Sequence, residues 1–303
     1  MSTRHNLSRW FLIPLALIFL ALIFLAPLAC SQSQAAPVLK IGGIPDQDAS
    51  RLARRYDGFA SYLSEKLDVP VEYVPSVDYA AVVTAFSQDQ LQVAFFGGLT
   101  GVQARLQNPG AQAIAQREND ARFHSKFIAR ADLPIESLED LKAHASELTI
   151  TFGSPSSTSG HLMPRYFLIE AGIDPENAFR EEASFSNSHD ATWQLVESGA
   201  FDIGALNEDV WDLAVGDGTV DTSRVNEFYT TPDYFDYHWT ARADLDEVYG
   251  AGFTAKLQQA LLDLNPQEHA EILDLYSTEK FITTNNANYQ AIEDVGRKLE
   301  IIQ

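Results

Sequence analysis

From residue 38 onward the chain alternates short apolar runs with longer stretches in which apolar side chains recur every three or four positions. Residues 38–44 (VLKIGGI) read as a strand that ends in Gly-Gly and then Pro45-Asp46, a strand-to-loop signal. Residues 54–67 set Tyr56, Phe59, Leu63 and Leu67 on one helical face, with Arg, Ser, Glu and Lys on the other. A strand at 71–74, a helix at 79–86 and a strand at 91–96 follow, the last opening into Gly97-Gly98-Leu99-Thr100. The pattern then returns as strand 148–152, helix 160–171, helix 190–198 and strand 201–206. Such repetition predicts the α/β class, with mainly parallel sheets flanked by helices.

Two identical strings, Ala129-Arg130-Ala131-Asp132-Leu133 and Ala241-Arg242-Ala243-Asp244-Leu245, each follow a strand-like stretch. They read either as chance similarity of two strand ends or as two crossings between lobes. The second reading gives one lobe of residues 38–130 plus 244–303 and an inserted lobe of residues 131–243. Residues 252–264 (GFTAKLQQALLDL) support it: this amphipathic helix has no strand of its own and needs a sheet built earlier in the chain.

Residues 1–29 read as a secretory signal, with Arg4 and Arg9 near a polar start and an uncharged apolar run from Trp10 to Ala29. Leu28-Ala29-Cys30 is similar to a lipoprotein box, although Pro27 stands where leucine is commonest, and Cys30 is the candidate for lipidation. The alternatives are a cut after Ser33-Gln34-Ala35, or a retained anchor, for which about 20 apolar residues suffice. All three place the folded part outside the cytoplasmic membrane, and a lipid on Cys30 would tether it there.

Composition narrows the chemistry. The 42 acidic and 21 basic side chains give a net charge of −21, which excludes a broad electrostatic grip on nucleic acid or on an anionic membrane face. One cysteine in 303 residues closes no internal disulfide and builds no paired-cysteine zinc site. The seven histidines show no HExxH spacing, and Gly153-Ser154-Pro155-Ser156 lacks the second glycine of a nucleophile turn, so an enzyme is disfavoured.

Residues 151–165 (TFGSPSSTSGHLMPR) carry the most chemistry. A strand gives way to consecutive hydroxyls and then to a helix, which Pro164 requires to begin near Ser159-Gly160. A helix start offers unpaired N–H groups and partial positive charge, and the hydroxyls of Ser157, Thr158 and Ser159 add donors at the same place. This makes an anion pocket without lysine or arginine. The plainer reading of any single Ser or Thr here is a helix cap.

Ser156-Ser157-Thr158-Ser159-Gly160, preceded by Phe152-Gly153, resembles the oxyanion motif of PhnD-type periplasmic binding proteins, which serve ABC importers for phosphonate, phosphite and related oxyanions. The resemblance takes in Val77-Asp78-Tyr79, Phe95-Phe96-Gly97-Gly98 with Thr100, Ser186-Asn187-Ser188-His189-Asp190, Ala205-Leu206-Asn207 and Asp236-Tyr237-His238-Trp239. SSTSGHLMPRYFL and GFTAKLQQALL resemble most a branch labelled selenate-binding. The resemblance implies a two-lobed periplasmic binding protein of the second type, a monomer without a cofactor, working with ABC permease and ATPase subunits. It implies that Ser157, Thr158 and Ser159 donate to the anion, that Tyr79 donates from the opposite lobe, and that His189 and Asp236 line the pocket. A second family acid falls near Asn207, an amide, which points away from aminoalkyl ligands and towards a smaller one. Read from the residues alone, His189 is a cap beside Ser188, Tyr79 a core residue, Asp236 a turn acid, and Thr100 either an N-cap for residues 101–106 or a ligand contact.

A carboxylate accepts hydrogen bonds only, so Asp236 in the pocket would favour an anion that still carries a proton. That suits phosphite, methylphosphonate or phosphate. Hydroxyls, N–H groups and histidine alone would suit sulfate or selenate. An apolar wall such as Phe96 would leave phosphate's fourth oxygen unpartnered. A membrane-tethered oxyanion sensor on the same fold is the remaining alternative.

Overall fold

The computed structural model describes residues 1–2 and 37–302; the expected signal and Cys30 lie outside them. From Pro37 on, the chain forms one unit built on two sheets. Its strands are β1 Leu39–Gly43, β2 Val71–Tyr73, β3 Val93–Phe96, β4 Gln112–Arg117, β5 Ser125–Arg130, β6 Ile150–Phe152, β7 Ser184–Phe185, β8 Ile203–Asn207, β9 Val225–Thr230, β10 His238–Ala241 and β11 Phe281–Thr283. The α-helices are α1 Ala49–Leu67, α2 Tyr79–Ser87, α3 Gly98–Gln107, α4 Leu138–His144, α5 Met163–Glu170, α6 His189–Glu197, α7 Glu208–Gly216, α8 Leu245–Tyr249, α9 Phe253–Leu262, α10 Pro266–Leu275 and α11 Gln290–Lys298. Among the described residues no helix is long and apolar enough to cross a membrane.

The first sheet runs β11-β4-β10-β3-β1-β2 and the second β7-β6-β8-β5-β9. Parallel pairing joins β1 to β2 and β3, and β6 to β7 and β8. The strands next to the crossings, β5 and β10, run antiparallel to both of their neighbours. The sheets are therefore mixed rather than mainly parallel, because a strand entering from the other lobe comes in from the opposite end. The change of sheet also precedes the repeated strings. Ser125–Arg130 already belongs to the second sheet and His238–Ala241 already to the first, so the expected boundaries at 130/131 and 243/244 come after the crossings. The tail adds α9 and also a strand, β11, paired to β4 at the sheet edge.

Period-two alternation explains how β5 serves two cores: Phe127 and Ala129 pack with Ile150, Phe152 and Leu168 on one face, while Ile128 packs with Trp193, Val196 and Trp211 on the other. The first lobe is built around aromatics, with Phe59 stacked on Trp239 at 4.8 Å and Phe95 edge-on to Tyr276 at 5.3 Å. The carboxyl ends of β1, β3, β6 and β8 lead into the segments 44–48, 97–99, 153–159 and 207–208, where open α/β sheets place ligands.

Candidate anion-binding site

In the second lobe, β6 leads into a tight loop. Gly153 N–H donates to Gly160 C=O at 2.8 Å, and a Cβ on Gly153 would stand 3.2 Å from the Gly160 Cα. Pro164 has no N–H to give to that carbonyl, so the Gly153 bond takes the place of the missing helical one. The turn opens wider than an α-helix as a result: Leu162 N–H reaches Ser157 C=O at 3.0 Å, a π-type closure over Thr158–Leu162, before α5 begins. The helix expected near Ser159-Gly160 is thus this π turn first and an α-helix only from Met163. Ser157 Oγ caps it, accepting from Gly160 N–H at 2.9 Å.

The first lobe brings a second helix start to the same place. Glycine occupies the cap position at 97, and Gly98 N–H donates to Asp236 Oδ1 at 2.8 Å while Leu99 N–H donates to Thr158 Oγ1 at 2.9 Å. A Cβ at Gly97 would lie 3.1 Å from Thr158 Oγ1 and 3.2 Å from Asp236 Oδ1, with the Ile44 side chain 3.5 Å away. Two helical N-termini from different lobes therefore meet at Thr158, bringing their positive dipole ends together. This start lies ahead of Thr100, which caps nothing; its hydroxyl donates to Gly97 C=O at 3.1 Å inside α3. Phe96 is fully buried, edge-on to Phe86 of α2 at 5.5 Å.

Three polar atoms in this region are buried without a hydrogen-bond partner: Tyr79 Oη, Ser159 Oγ and Asp236 Oδ2. Leaving such groups unpaired costs about 1–3 kcal/mol each, more when charged, so the arrangement calls for a polar ligand. Burial raises the Asp236 pKa to about 7, against the Gly98 N–H bond; the Thr158 and Ser159 hydroxyls lie near enough to lower it slightly, though Ser159 makes no hydrogen bond with it. Burial also holds the Tyr79 phenol well above its ordinary value. His189 opens α6 behind its Ser188 cap, with its own N–H on Asp46 C=O at 3.1 Å. Its Nδ1 accepts from Asn207 N–H at 3.3 Å, leaving the proton on Nε2, 3.4 Å from Tyr237 Oη. Burial lowers the His189 pKa to about 4, so the ring is neutral.

Asn207 is used twice: Oδ1 caps α7 through Val210 N–H at 2.7 Å, and Nδ2 donates to Tyr237 Oη at 2.9 Å. Neither Tyr237 nor Asp46 is among the site residues that the sequence suggests. Asp46 is 3% exposed, held by Arg55 at 3.5 Å, and its charge reaches Tyr79, Tyr237 and His189. Its signal was its place, an acid just beyond the first strand's carboxyl end.

Residues 41–289 match the family of ABC transporter, phosphonate, periplasmic substrate-binding proteins. The chain belongs to this family. It is a substrate-binding component of a transporter, periplasmic by family, and not an enzyme. A probable ABC transporter phosphite-binding protein from Prochlorococcus marinus is 44% identical over 270 residues, covering 88% of this chain and 91% of the relative. Its solved structure in complex with methylphosphonate superposes with a TM-score of 0.84, covering 88% of this chain and 99% of that one. A phosphate-import protein from Mycolicibacterium smegmatis is 25% identical, covering 85% of this chain and 74% of the relative. The finer likeness to a selenate-binding branch gives way here, because the relative matched at 44% identity is a phosphite-binding protein.

Proposed function

We propose that this protein captures phosphite or methylphosphonate between its lobes and delivers it to the permease and ATPase of an ABC importer. The observation that carries this reading is the buried Asp236 Oδ2, which has no hydrogen-bond partner while Oδ1 of the same carboxyl is held by the Gly98 N–H. Above about pH 7, where Asp236 is ionised, a fully ionised sulfate or selenate offers that oxygen nothing, whereas a monoprotonated phosphorus oxyanion donates its proton to it. The likeness to a methylphosphonate-bound relative supports the same ligand class. Ser157, Thr158 and Ser159, the N–H groups of the two facing turns, Tyr79 and His189 then supply the donors, while Phe96 and Thr100 shape the turn behind them. Because Asn207 already serves as cap and tether, a second free acid for a ligand amine is missing at its position. The protein acts as a monomer, and a lipid on Cys30 would hold it at the membrane.

Calorimetric titration with phosphite, methylphosphonate, phosphate, sulfate and selenate tests the proposal. Phosphite or methylphosphonate binds tightest; a preference for selenate or sulfate would refute it.

A further inference from the structure

Asp236 owes its position to a chain of contacts that starts away from the ligand site. Its N–H donates to Asp120 C=O at 3.1 Å, and its Oδ1 accepts from Gly98 N–H at 2.8 Å. Its own C=O lies 3.0 Å from His238 Nδ1, and His238 Nε2 lies 2.5 Å from Arg105 Nη1. A carbonyl only accepts and a guanidinium only donates, so the ring is neutral, with its proton on Nδ1. Tyr289 backs both partners, at 3.9 Å from the His238 ring and 5.0 Å from the Arg105 guanidinium. The arrangement requires Gly101, since a Cβ there would collide with the imidazole. Arg105 makes no ion pair among the described residues, and it lines a surface cavity of about 950 Å³ together with Ala113, Gln258 and Asn286. Glu293 is near enough for its charge to act on Arg105 but forms no ion pair with it, so the close polar partner of the guanidinium is the neutral imidazole, whose tautomer it fixes.

The geometry points to Arg105 and His238 as positioning residues for ligand selection, holding the Asp236 main chain so that Oδ2 stays presented to the anion's acidic proton. This deepens the proposed phosphorus-oxyanion reading and rests on it. A substitution at His238 then acts on binding through Asp236.

The test is a double-mutant cycle on methylphosphonate affinity, read by calorimetry, with His238→Phe and Asp236→Asn. Phenylalanine keeps the ring against Tyr289 and removes both nitrogens; thermal melting verifies that each variant is folded. H238F weakens binding about five- to tenfold, the scale of one lost hydrogen bond, and R105Q does so in the same direction. In the D236N background H238F costs less than about twofold. Equal losses in both backgrounds would overturn the inference. Nitrogen-15 NMR of the ligand-free protein supplies a second readout that needs no binding: the inference requires an Nδ1–H tautomer at His238, and an Nε2–H tautomer refutes it. If the wild type binds no methylphosphonate, the proposed ligand fails, while the tautomer still decides whether the clasp exists.

Discussion

Thr158 and Leu99 lie in different lobes, yet the Thr158 hydroxyl oxygen accepts a hydrogen bond from the Leu99 N–H at 2.9 Å. The side chain proposed as an anion donor is therefore also a bridge between the two lobes. Thr158→Val removes the hydroxyl at nearly constant volume. It is expected to weaken methylphosphonate binding by about 10- to 100-fold, the range for a charge-assisted hydrogen bond. Calorimetry checks this, and an unchanged affinity would show that the bridge, not the ligand, owns the hydroxyl.

Asp236 predicts how affinity varies with pH. In the complex one proton is shared between Oδ2 and the ligand. Above about pH 8 both free partners are ionised, so binding takes up a proton and affinity falls about tenfold per pH unit. Asp236→Asn supplies an amide donor instead, which flattens that slope and raises affinity for sulfate and selenate. Titrations between about pH 6 and about pH 9 measure both effects.

In the ligand-free protein, Asp236 and His189 oppose each other. The Asp236 pKa rises from 3.8 to about 7, mainly through burial, so the folded chain holds the proton more tightly than the unfolded one. Its contribution is fully present below pH 3.8 and is lost as pH rises through about 7. The His189 pKa falls from 6.5 to about 4, again through burial, and its contribution is present above 6.5 and lost as pH falls towards 4. Relative to wild type, D236N gains stability as pH rises and H189N gains it as pH falls, each on the order of a few kcal/mol. Urea melts at about pH 5 and about pH 8 without ligand separate the two.

Gly97→Ala places a methyl group 3.1 Å from Thr158 Oγ1 and 3.2 Å from Asp236 Oδ1, closer than most such contacts. Each lobe retains its own core, so melting shifts little, while ligand affinity drops about tenfold or more because the lobes cannot approach fully. Small-angle scattering with saturating methylphosphonate would detect the incomplete closure.

Much of the candidate site was legible in the sequence because its chemistry is local. The hydroxyl run at 157–159 announces itself, and Pro164 limits where the helix after it can start. The strand-to-loop signal at Pro45-Asp46 likewise gave the end of β1. What escaped were features that exist only once the chain has folded. Gly98 and Leu99 become donors because β3 stops at Phe96 and α3 starts at once, with glycine at the cap. The π turn arises from a bond between Gly153 and Gly160, seven positions apart. The crossings were misplaced because the repeated strings follow β5 and β10 instead of leading into them, and nothing local shows which sheet a strand will join. Short helices such as α4 and α8 carry too few turns for their periodicity to stand out.

Asn207→Asp places a second acid at the candidate site. Aspartate still caps α7 through Val210 N–H, so stability is largely kept. The donor to Tyr237 Oη is lost, and a second negative charge enters beside His189. Affinity for methylphosphonate falls at least about tenfold, whereas an aminoalkylphosphonate loses less or gains. Competition between the two ligands in one titration series checks the reversal.

The near-complete burial of Ser159, Tyr79 and His189, at 1%, 1% and 0% exposure, has a kinetic corollary. On the proposed reading, a molecule held among these buried groups leaves only when the two halves swing apart, so its residence time is set by how often they do. Unloading at the importer then becomes a mechanical task, prying the jaws open, and the cargo's chemistry enters only as the latch to be overcome.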